Sequence, residues 1–412
     1  MSNYPTYKLG QICETTSGGT PNRKNDAYYG GYIPWVKSGE LGKGTIYDTE
    51  EKITEEAVKE SSAKIFPKGT LLIALYGATI GKLGFLGVPA ATNQAVCGIF
   101  ENEKIDLQFL SYYLFHKRND LIAQGTGGAQ PNISQTILKN LSIPLPPLAT
   151  QHQIVSRIET LFAELDKAEE RLRTAQQQLK TYKQAVLNHW LNNDEGKWET
   201  VKLGEVLQKI EAGKSFRCNE KVPALHEKGI VKISAVTWGE FMEDECKTII
   251  NEELYNPKYR IHKGDLLMSR ANTIQLVGNC VLVKEEPRRD ILLSDKVLRL
   301  VLCDEIDSNY ILYSLKTSNC RNQIQIMSTG NQDSMRNIGQ DRIKKIEIPL
   351  PPLSEQQRIV EEIESRLSQA SKSSACIEEA LQQTEALRQS ILKKAFSGEL
   401  VVSTSSTTTK GG

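Results

Sequence analysis

Ile143-Pro-Leu-Pro-Pro-Leu148 and Ile348-Pro-Leu-Pro-Pro-Leu353 are two copies of one stretch, placed 205 positions apart in a chain of 412 residues. The similarity continues beyond the prolines, where Gln151, Ile154, Val155 and Ile158 match Gln356, Ile359, Val360 and Ile363. A repeat with a period of about half the chain predicts a duplicated domain and not a solenoid.

The segments after the prolines predict two long helices. Proline lacks a backbone N–H and disfavours helix in the preceding residue, so a helix can start cleanly after Leu148. Between residues 150 and 191, apolar residues recur at alternating steps of four and three, which is typical of a coiled-coil seam. Residues 354–397 carry a matching pattern with a small, polar centre at 369–375. The positions predicted to pair the helices are Ile154, Ile158, Leu161, Leu165, Leu172, Leu179, Tyr182, Val186, Ile359, Ile363, Ile377, Leu387 and Ile391.

The residues before each proline stretch predict a mixed α/β domain. Apolar runs at 70–76 and 95–100 indicate buried strands, and the leucine spacing of 107–123 indicates a helix. Lys68-Gly-Thr-Leu-Leu-Ile73 matches Lys263-Gly-Asp-Leu-Leu-Met268, and Asn132-Ile-Ser134 matches Asn337-Ile-Gly339. Much of the interior does not align, so we infer a duplicated framework whose loops have diverged.

Composition excludes few classes of function. The chain is 39% hydrophobic and 25% charged, with a formal net charge of +1, so no global charge attracts nucleic acid. Its eight cysteines form no Cys-x-x-Cys pair and no zinc-like spacing with histidine, which predicts reduced, buried thiols and a cytoplasmic location. No apolar run reaches 18 residues, so no transmembrane helix is predicted.

Catalytic motifs are missing. Gly77-Ala-Thr-Ile-Gly81-Lys82 suggests a phosphate loop, but only three residues separate the glycines and Leu83 stands where a magnesium-binding Ser or Thr would be. The chain has no Asx-Pro-Pro-aromatic motif for adenine methylation and no metal-ligand pattern. We therefore predict a non-catalytic chain without a metal site.

Polar loops with basic and aromatic residues remain as candidates for DNA binding, because Arg, Lys, Asn and Gln read base edges and Lys and Arg hold phosphates. Arg270-Ala-Asn-Thr273, directly after a predicted buried strand, is the strongest candidate. For Lys37 and Lys82 a solvated surface is the favoured alternative, and for Trp35 and Trp238 packing in the core or between domains is favoured. The candidates are Thr20, Arg23, Lys37, Ser38, Tyr76, Thr79, Lys82, Asn93, Gln94, Lys214, Arg217, Lys232, Trp238, Arg270, Asn272, Thr273 and Lys296.

Together, these motifs resemble the specificity subunit of type I restriction–modification systems. The resemblance rests on the two Ile-Pro-Leu-Pro-Pro-Leu stretches, the glutamine-rich helix starts and the ending Leu392-Lys-Lys-Ala-Phe-Ser-Gly-Glu-Leu400. It covers about residues 5–402. It is specific in the proline–helix segments and weak inside the domains.

The resemblance implies an α+β fold in which two mixed α/β target-recognition domains are separated by two long helices that pair as an antiparallel coiled coil with a pseudo-two-fold internal repeat. The predicted segments are 1–148 (first domain), 149–196 (first helix), 197–353 (second domain), 354–400 (second helix) and 401–412 (disordered tail).

For function, the resemblance implies that each domain reads one half of a bipartite DNA target, while the helices set the spacing. Two methyltransferase subunits would dock on the helices, and restriction subunits would join them. S-adenosylmethionine, ATP and magnesium would be bound by those partners, with no cofactor on this chain.

Two alternatives stay open at this point. The chain could be a protein–protein scaffold with a coiled-coil core and no DNA contact, which salt-dependent DNA binding would exclude. It could also be an enzyme with an unrecognised site, which methylation or cleavage of DNA by the chain alone would reveal.

Overall fold

The computed structural model describes residues 4–125, 132–193 and 196–400. Two compact units divide the chain: the first contains Met1–Leu172 and Glu379–Gly412, and the second contains Arg173–Glu378. Each unit therefore holds one mixed domain together with part of each long helix. The predicted disordered tail, 401–412, lies outside the described residues.

The first domain consists of short strands and helices. Its strands are β1 (Thr6–Lys8), β2 (Thr15–Ser17), β3 (Tyr29–Val36), β4 (Thr45–Ile46), β5 (Lys52–Ile53), β6 (Ile65–Phe66), β7 (Leu71–Ala74), β8 (Leu83–Leu86), β9 (Ala90–Thr92), β10 (Val96–Ile99) and β11 (Ser142–Pro144). Its helices are α1 (Leu9–Ile12), α2 (Glu55–Glu60), α3 (Leu107–His116), α4 (Arg118–Ala123) and α5 (Gln135–Lys139), and the long helix α6 spans Leu148–Leu191. The sheets have the orders β2-β10-β7-β8-β4, β5-β3-β9-β6 and β1-β11.

The second domain is built from more strands. They are β12 (Glu199–Lys202), β13 (Leu207–Ala212), β14 (Cys218–Asn219), β15 (Lys228–Val231), β16 (Cys246–Ile249), β17 (Leu266–Ser269), β18 (Ala271–Asn272), β19 (Cys280–Leu282), β20 (Asp290–Leu292), β21 (Val297–Leu302), β22 (Thr329–Gln332), β23 (Met335–Asn337) and β24 (Glu347–Leu350). The helices are α7 (Ser308–Leu315), α8 (Ser318–Met327) and α9 (Gln340–Ile343), followed by the long helix α10 at Leu353–Ser397. The sheets have the orders β13-β21-β17-β19, β14-β16-β15-β20, β18-β23-β22 and β12-β24.

A four-strand antiparallel framework is common to both domains. β2-β10-β7-β8 of the first corresponds to β13-β21-β17-β19 of the second. The register agrees as well, because Leu72 lies opposite Gly98 on β7 and β10, and Leu267 lies opposite Arg299 on β17 and β21. The predicted strands at 70–76 and 95–100 are confirmed as β7 and β10, whereas the single helix predicted at 107–123 is two helices that meet at Lys117.

The long helices start at Leu148 and Leu353, each one residue before the predicted start that follows the proline stretch. In the first unit, Arg388 of α10 forms ion pairs with Asp166 and Glu169 of α6. Nearer the helix ends of that unit, Ile158 and Phe396 belong to one core cluster, so the two segments run antiparallel.

In the second unit, the helix segments also pack against each other. Lys183 Nζ donates to Ser371 Oγ at 3.3 Å. Arg366 lies 5.0 Å and Arg358 lies 6.0 Å from the Trp190 ring centroid. The residue numbers rise on α6 as they fall on α10, which makes this segment antiparallel too.

The predicted apolar seam is uneven. Ile154, Ile158, Val186, Ile359 and Ile363 are buried, at the ends where a helix also packs on its domain. The structure differs from the prediction at two positions, since Tyr182 is 44% and Leu387 is 51% exposed. The remaining seam residues are partly buried, namely Leu161, Leu165, Leu172, Leu179, Ile377 and Ile391.

The described cysteines are all unpaired thiols. Burial raises the pKa of Cys13, Cys97 and Cys246 to about 11, which keeps these thiols protonated and unreactive. The prediction of burial is wrong for Cys376, which is exposed on α10. Within the described ranges, no helix has the length and apolar character needed to cross a membrane.

Candidate nucleic-acid interface

A repeated surface lies where the framework strands end. In the first domain, Leu75 N–H donates to the Ala95 carbonyl at 2.8 Å, and the Thr20 hydroxyl donates to Gln94. We name these residues, with Gly19, the first strand-end site. Thr20 and Gln94 carry candidate side chains that the structure brings into contact although they are 74 positions apart.

The second domain builds the same surface from different residues. Arg270 N–H donates to the Lys296 carbonyl at 2.8 Å, and the Ser215 hydroxyl donates to Asp295. Together with Lys214, these residues are the second strand-end site. The matching backbone bonds make Leu75 equivalent to Arg270 and Ala95 to Lys296, and the matching side-chain bonds make Thr20 equivalent to Ser215 and Gln94 to Asp295. Gly19 and Lys214 are equivalent because each directly precedes the hydroxyl residue.

The repeated Asn-Ile motif forms a backbone hydrogen bond to one residue of each strand-end site. Ile133 N–H donates to the Leu75 carbonyl, and Ile338 N–H donates to the Arg270 carbonyl, both at 2.9 Å. Both asparagines stand in bridge or strand pairing with the residue after that carbonyl, Asn132 with Tyr76 and Asn337 with Ala271. The motif is therefore repeated because it fixes the chain that leaves the central strand. The preceding Thr126 and Gly127 lie outside the described residues.

A loop held by two side-chain hydrogen bonds presents Trp238 near the second strand-end site. Thr237 is buried, and Asn272 Nδ2 donates to its hydroxyl at 3.3 Å while Asn279 Nδ2 donates to its carbonyl at 2.9 Å. Trp238, the next residue, is 70% exposed. The Thr273 hydroxyl is buried and has no partner among the described residues. Core packing is thus excluded for Trp238, which offers a held aromatic surface to a ligand.

Two of the three candidate cations of the first domain, Arg23 and Lys37, are paired with carboxylates, unlike those of the second domain. Arg23 and Lys37 both form ion pairs with Glu51, and Lys37 also binds Glu50. These carboxylates raise the pKa of Lys37, and Arg23 above all lowers the pKa of Glu51. Arg23 is held further by the rings of Tyr29 and Trp35, at 4.7 and 4.8 Å.

In the second domain, the candidate cations have no such partners. Among the described residues, no carboxylate forms an ion pair with Lys214, Arg217, Lys232, Arg270 or Lys296. The charges of the exposed Lys214, Arg217, Arg270 and Lys296 are available to an external anion, whereas Arg23 and Lys37 pair with carboxylates of their own domain.

The other candidates of the first domain are scattered around its strand-end site. Asn93 N–H donates to the Val36 carbonyl at 3.0 Å, which places Lys37 and Ser38 next to the site. Tyr76 is 38% exposed, and its carbonyl accepts from the Thr79 hydroxyl at 3.1 Å.

Of two further residues considered in the first domain, Lys82 lies apart from that site and Trp35 is buried beneath it. Lys82 lines a separate cavity of about 600 Å³ with Tyr112, Arg118 and Phe162. Trp35 is 1% exposed and donates to the Gly19 carbonyl at 3.1 Å, so it is a core residue.

Two buried glutamines, one in each unit, attach a domain to a long helix. The sequence predicted no role for them. Gln151 Oε1 accepts from Asp106 N–H at 2.8 Å, and its Nε2 donates to the carbonyls of Lys104 and Pro146. Gln356 repeats this with Asp307 N–H at 3.0 Å and the Pro351 carbonyl at 2.9 Å. Asp106 and Asp307 cap α3 and α7, so each glutamine joins a domain helix to the start of α6 or α10. The signal in the sequence was a polar residue repeated within an apolar pattern.

Comparison with known proteins gives consistent similarities. A family model described as the type I restriction modification DNA specificity domain matches residues 1–174 and 195–383. The type I restriction enzyme EcoKI specificity subunit of Escherichia coli strain K12 is 27% identical over 389 residues, covering 90% of this chain and 82% of that protein.

Solved structures agree in fold. A chain from the complex assembly and conformational transition of the type I R-M system has a TM-score of 0.75 at 21% identity, covering 96% of this chain and 98% of that chain. The HsdS subunit from Thermoanaerobacter tengcongensis has a TM-score of 0.55 at 20% identity, with coverages of 96% and 97%. The predicted fold class of two mixed domains joined by long helices is confirmed.

Proposed function

The chain belongs to the family of type I restriction–modification specificity subunits, and from that premise we propose that it is the non-catalytic, sequence-reading subunit of such a complex. Each domain reads one half of a bipartite DNA target. The two long helices set the distance between the half-sites.

The docking of each domain onto the long helices carries this proposal. In each unit, a buried glutamine holds the domain to a helix start, and apolar helix residues such as Ile158 and Ile363 belong to the domain core. Because buried hydrogen bonds and core packing fix a domain on its helix, the helix length between the two attachments can act as a ruler.

The strand-end sites support the reading function. They bring hydroxyl, amide and guanidinium groups to the ends of adjacent strands, and these are the groups that bind base edges and phosphates. Trp238 adds an exposed aromatic ring on a loop that is held by two amide side chains.

The partners follow from the same family. We assign DNA and two methyltransferase subunits as binding partners, with restriction subunits joining them. S-adenosylmethionine, ATP and magnesium are assigned to those partners, and no cofactor to this chain. The exposed, small residues Ser371, Ser373 and Ala375 of α10 supply a helix surface on which another subunit can pack closely.

A change in helix length tests the ruler. Seven residues inserted after Ala168 in α6 and seven after Ala386 in α10 lengthen both antiparallel segments near the contact of Arg388 with Asp166. Seven helical residues add roughly 10 Å, or about three base pairs. Methylation mapping in a host that carries the whole system should show both half-sites unchanged and the gap longer by about three base pairs.

The matched control replaces the seven residues before each insertion point with the inserted sequence, so that the length is constant, and it should keep the original gap. Altered half-sites, or an unchanged gap in the lengthened chain, would refute the ruler. A complex that contains this chain and binds no duplex DNA would favour the protein scaffold instead.

A further inference from the structure

The two strand-end sites have the same backbone and different charges. At three equivalent positions, Gly19, Leu75 and Ala95 of the first domain correspond to Lys214, Arg270 and Lys296 of the second. One position changes in the opposite direction, since Asp295 takes the place of Gln94. The second site therefore gains a net charge of about +2 over the first at physiological pH.

The added cations are exposed, and the fold holds them together. Arg270 and Lys296 share a backbone hydrogen bond of 2.8 Å, and Ser215, next to Lys214, bonds to Asp295, next to Lys296. These bonds place the three residues at one end of the sheet, and exposed cations without an ion partner gain from a bound anion. Arg270 directly follows β17 and Lys296 directly precedes β21, so the sheet fixes the backbone positions from which these side chains extend.

The first domain has cations near its site, but they are engaged. Arg23 and Lys37 form ion pairs with Glu51. At the site itself, Leu75 is 1% and Ala95 is 9% exposed, where the second domain has exposed Arg270 and Lys296. The first site offers neutral amide and hydroxyl groups instead.

We propose that the second strand-end site, through Lys214, Arg270 and Lys296, is the main phosphate-binding site of the chain, and that the first strand-end site reads its DNA with neutral groups and few phosphate contacts. The inference rests on the proposed function, because the anion is taken to be the DNA backbone. The two domains then contribute unequally to DNA affinity, because the second supplies most of the salt-dependent part.

Salt titration of DNA binding tests this division. Each phosphate contact contributes about 0.9 to the slope of log K against log salt on duplex DNA. The variant K214Q/R270Q/K296Q, in the full chain assembled with its methyltransferase subunits, should flatten that slope by roughly 2 to 3 on a duplex that carries the mapped target.

A matched control removes the same charges elsewhere in the second unit. K284Q/R288Q/K345Q also removes two lysines and one arginine, all exposed. It should leave the slope within about 0.5 of the wild-type value, since one lost contact is about 0.9. Thermal unfolding of both variants should match that of the wild type, because all six side chains lie on the surface.

The outcomes separate the two proposals. If the wild-type complex does not bind duplex DNA, the proposed function fails and this inference fails with it. If the wild type binds with a steep slope but the strand-end variant and its control have equal slopes, only the division of phosphate binding is overturned. A flattened slope in the strand-end variant alone supports it.

Discussion

The two domains occupy one position of their shared framework in opposite ways. Gly98 on β10 faces Thr16 and Leu72, and a Cβ added there would meet the Phe66 ring at 2.9 Å. The equivalent Arg299 on β21 is 9% exposed and binds Glu211 at 2.9 Å and Asp265 at 2.8 Å.

The comparison shows how a duplicated framework can diverge. An aromatic ring fills the space above the strand in the first domain, while an ion cluster fills it in the second. Burial raises the pKa of Asp265 despite its contact with Arg299, so this carboxylate is costly to keep charged and depends on the arginine. The same backbone tolerates an apolar and an ionic interior, as it tolerates neutral and cationic strand ends.

Removal of Arg299, the cation at the centre of this ion cluster, should destabilise the second domain. The first domain has Gly98 at the equivalent position, so it has no such cation to remove. Arg299→Met leaves Glu211 with Lys209 alone and removes the ion pair of Asp265, and the loss of one member of a buried ion cluster costs about 3–5 kcal/mol. Urea unfolding followed by tryptophan fluorescence measures it, since three of the four tryptophans lie in the second unit.

Arg270→Met is the matched control for that change. Arg270 is exposed on the same sheet, so its replacement should alter the free energy of unfolding by less than about 0.5 kcal/mol. Equal, small changes in the two variants would show that the ion cluster is not needed for stability.

The glutamines that attach the domains to the helices allow a second comparison. Gln151 makes three hydrogen bonds and Gln356 makes two to backbone groups. Each buried bond contributes on the order of 1 kcal/mol, so Gln151→Ala should destabilise the first unit by ~3 kcal/mol and Gln356→Ala the second by ~2 kcal/mol.

Hydrogen exchange gives the local measurement. Exchange of the Asp106 amide should accelerate in Gln151→Ala and that of the Asp307 amide in Gln356→Ala, because each amide loses its acceptor. Gln153→Ala, on the exposed face of the same helix start, is the control and should leave both amides unchanged. Unaltered amide exchange in Gln151→Ala and Gln356→Ala would contradict the role of these glutamines in attaching the domains to the helices.

The smallest expected effect concerns the paired cations of the first domain, which are compared with the unpaired cations of the second. Glu51→Gln removes the carboxylate that Arg23 and Lys37 share, although Glu50 still holds Lys37. In the salt titration, one freed cation should steepen the slope by up to about 0.9.

Glu56→Gln removes the same charge from the exposed face of α2 and controls for net charge. A slope equal in the two variants would mean that Arg23 and Lys37 do not reach DNA even when they are free.

Local patterns predicted the framework well. The proline stretches placed the helix starts to within one residue of Leu148 and Leu353, because the restriction that proline imposes acts on its immediate neighbours. The heptad spacing predicted pairing helices, but not that Tyr182 and Leu387 would stay exposed, since exposure depends on what the opposite helix offers at that level.

The site was predictable only in part. Residue type identified one pair in each domain that the structure brings together at strand ends. These pairs are Thr20 with Gln94 and Arg270 with Lys296. The sequence could not show that Arg23 is neutralised, because its partner Glu51 lies 28 positions away. Pairing at that separation depends on the path of β3 and β5 through the sheet, which no local pattern reports.

The sequence by itself determined the duplication, the family and the positions of the two long helices, because these follow from repeats and periodicities that are local along the chain. Only the tertiary structure decided which cations form ion pairs with carboxylates and which do not. It also decided that buried glutamines attach the domains to the helices. Ion pairs and buried hydrogen bonds act over a few ångströms, so they depend on which distant residues the fold brings together.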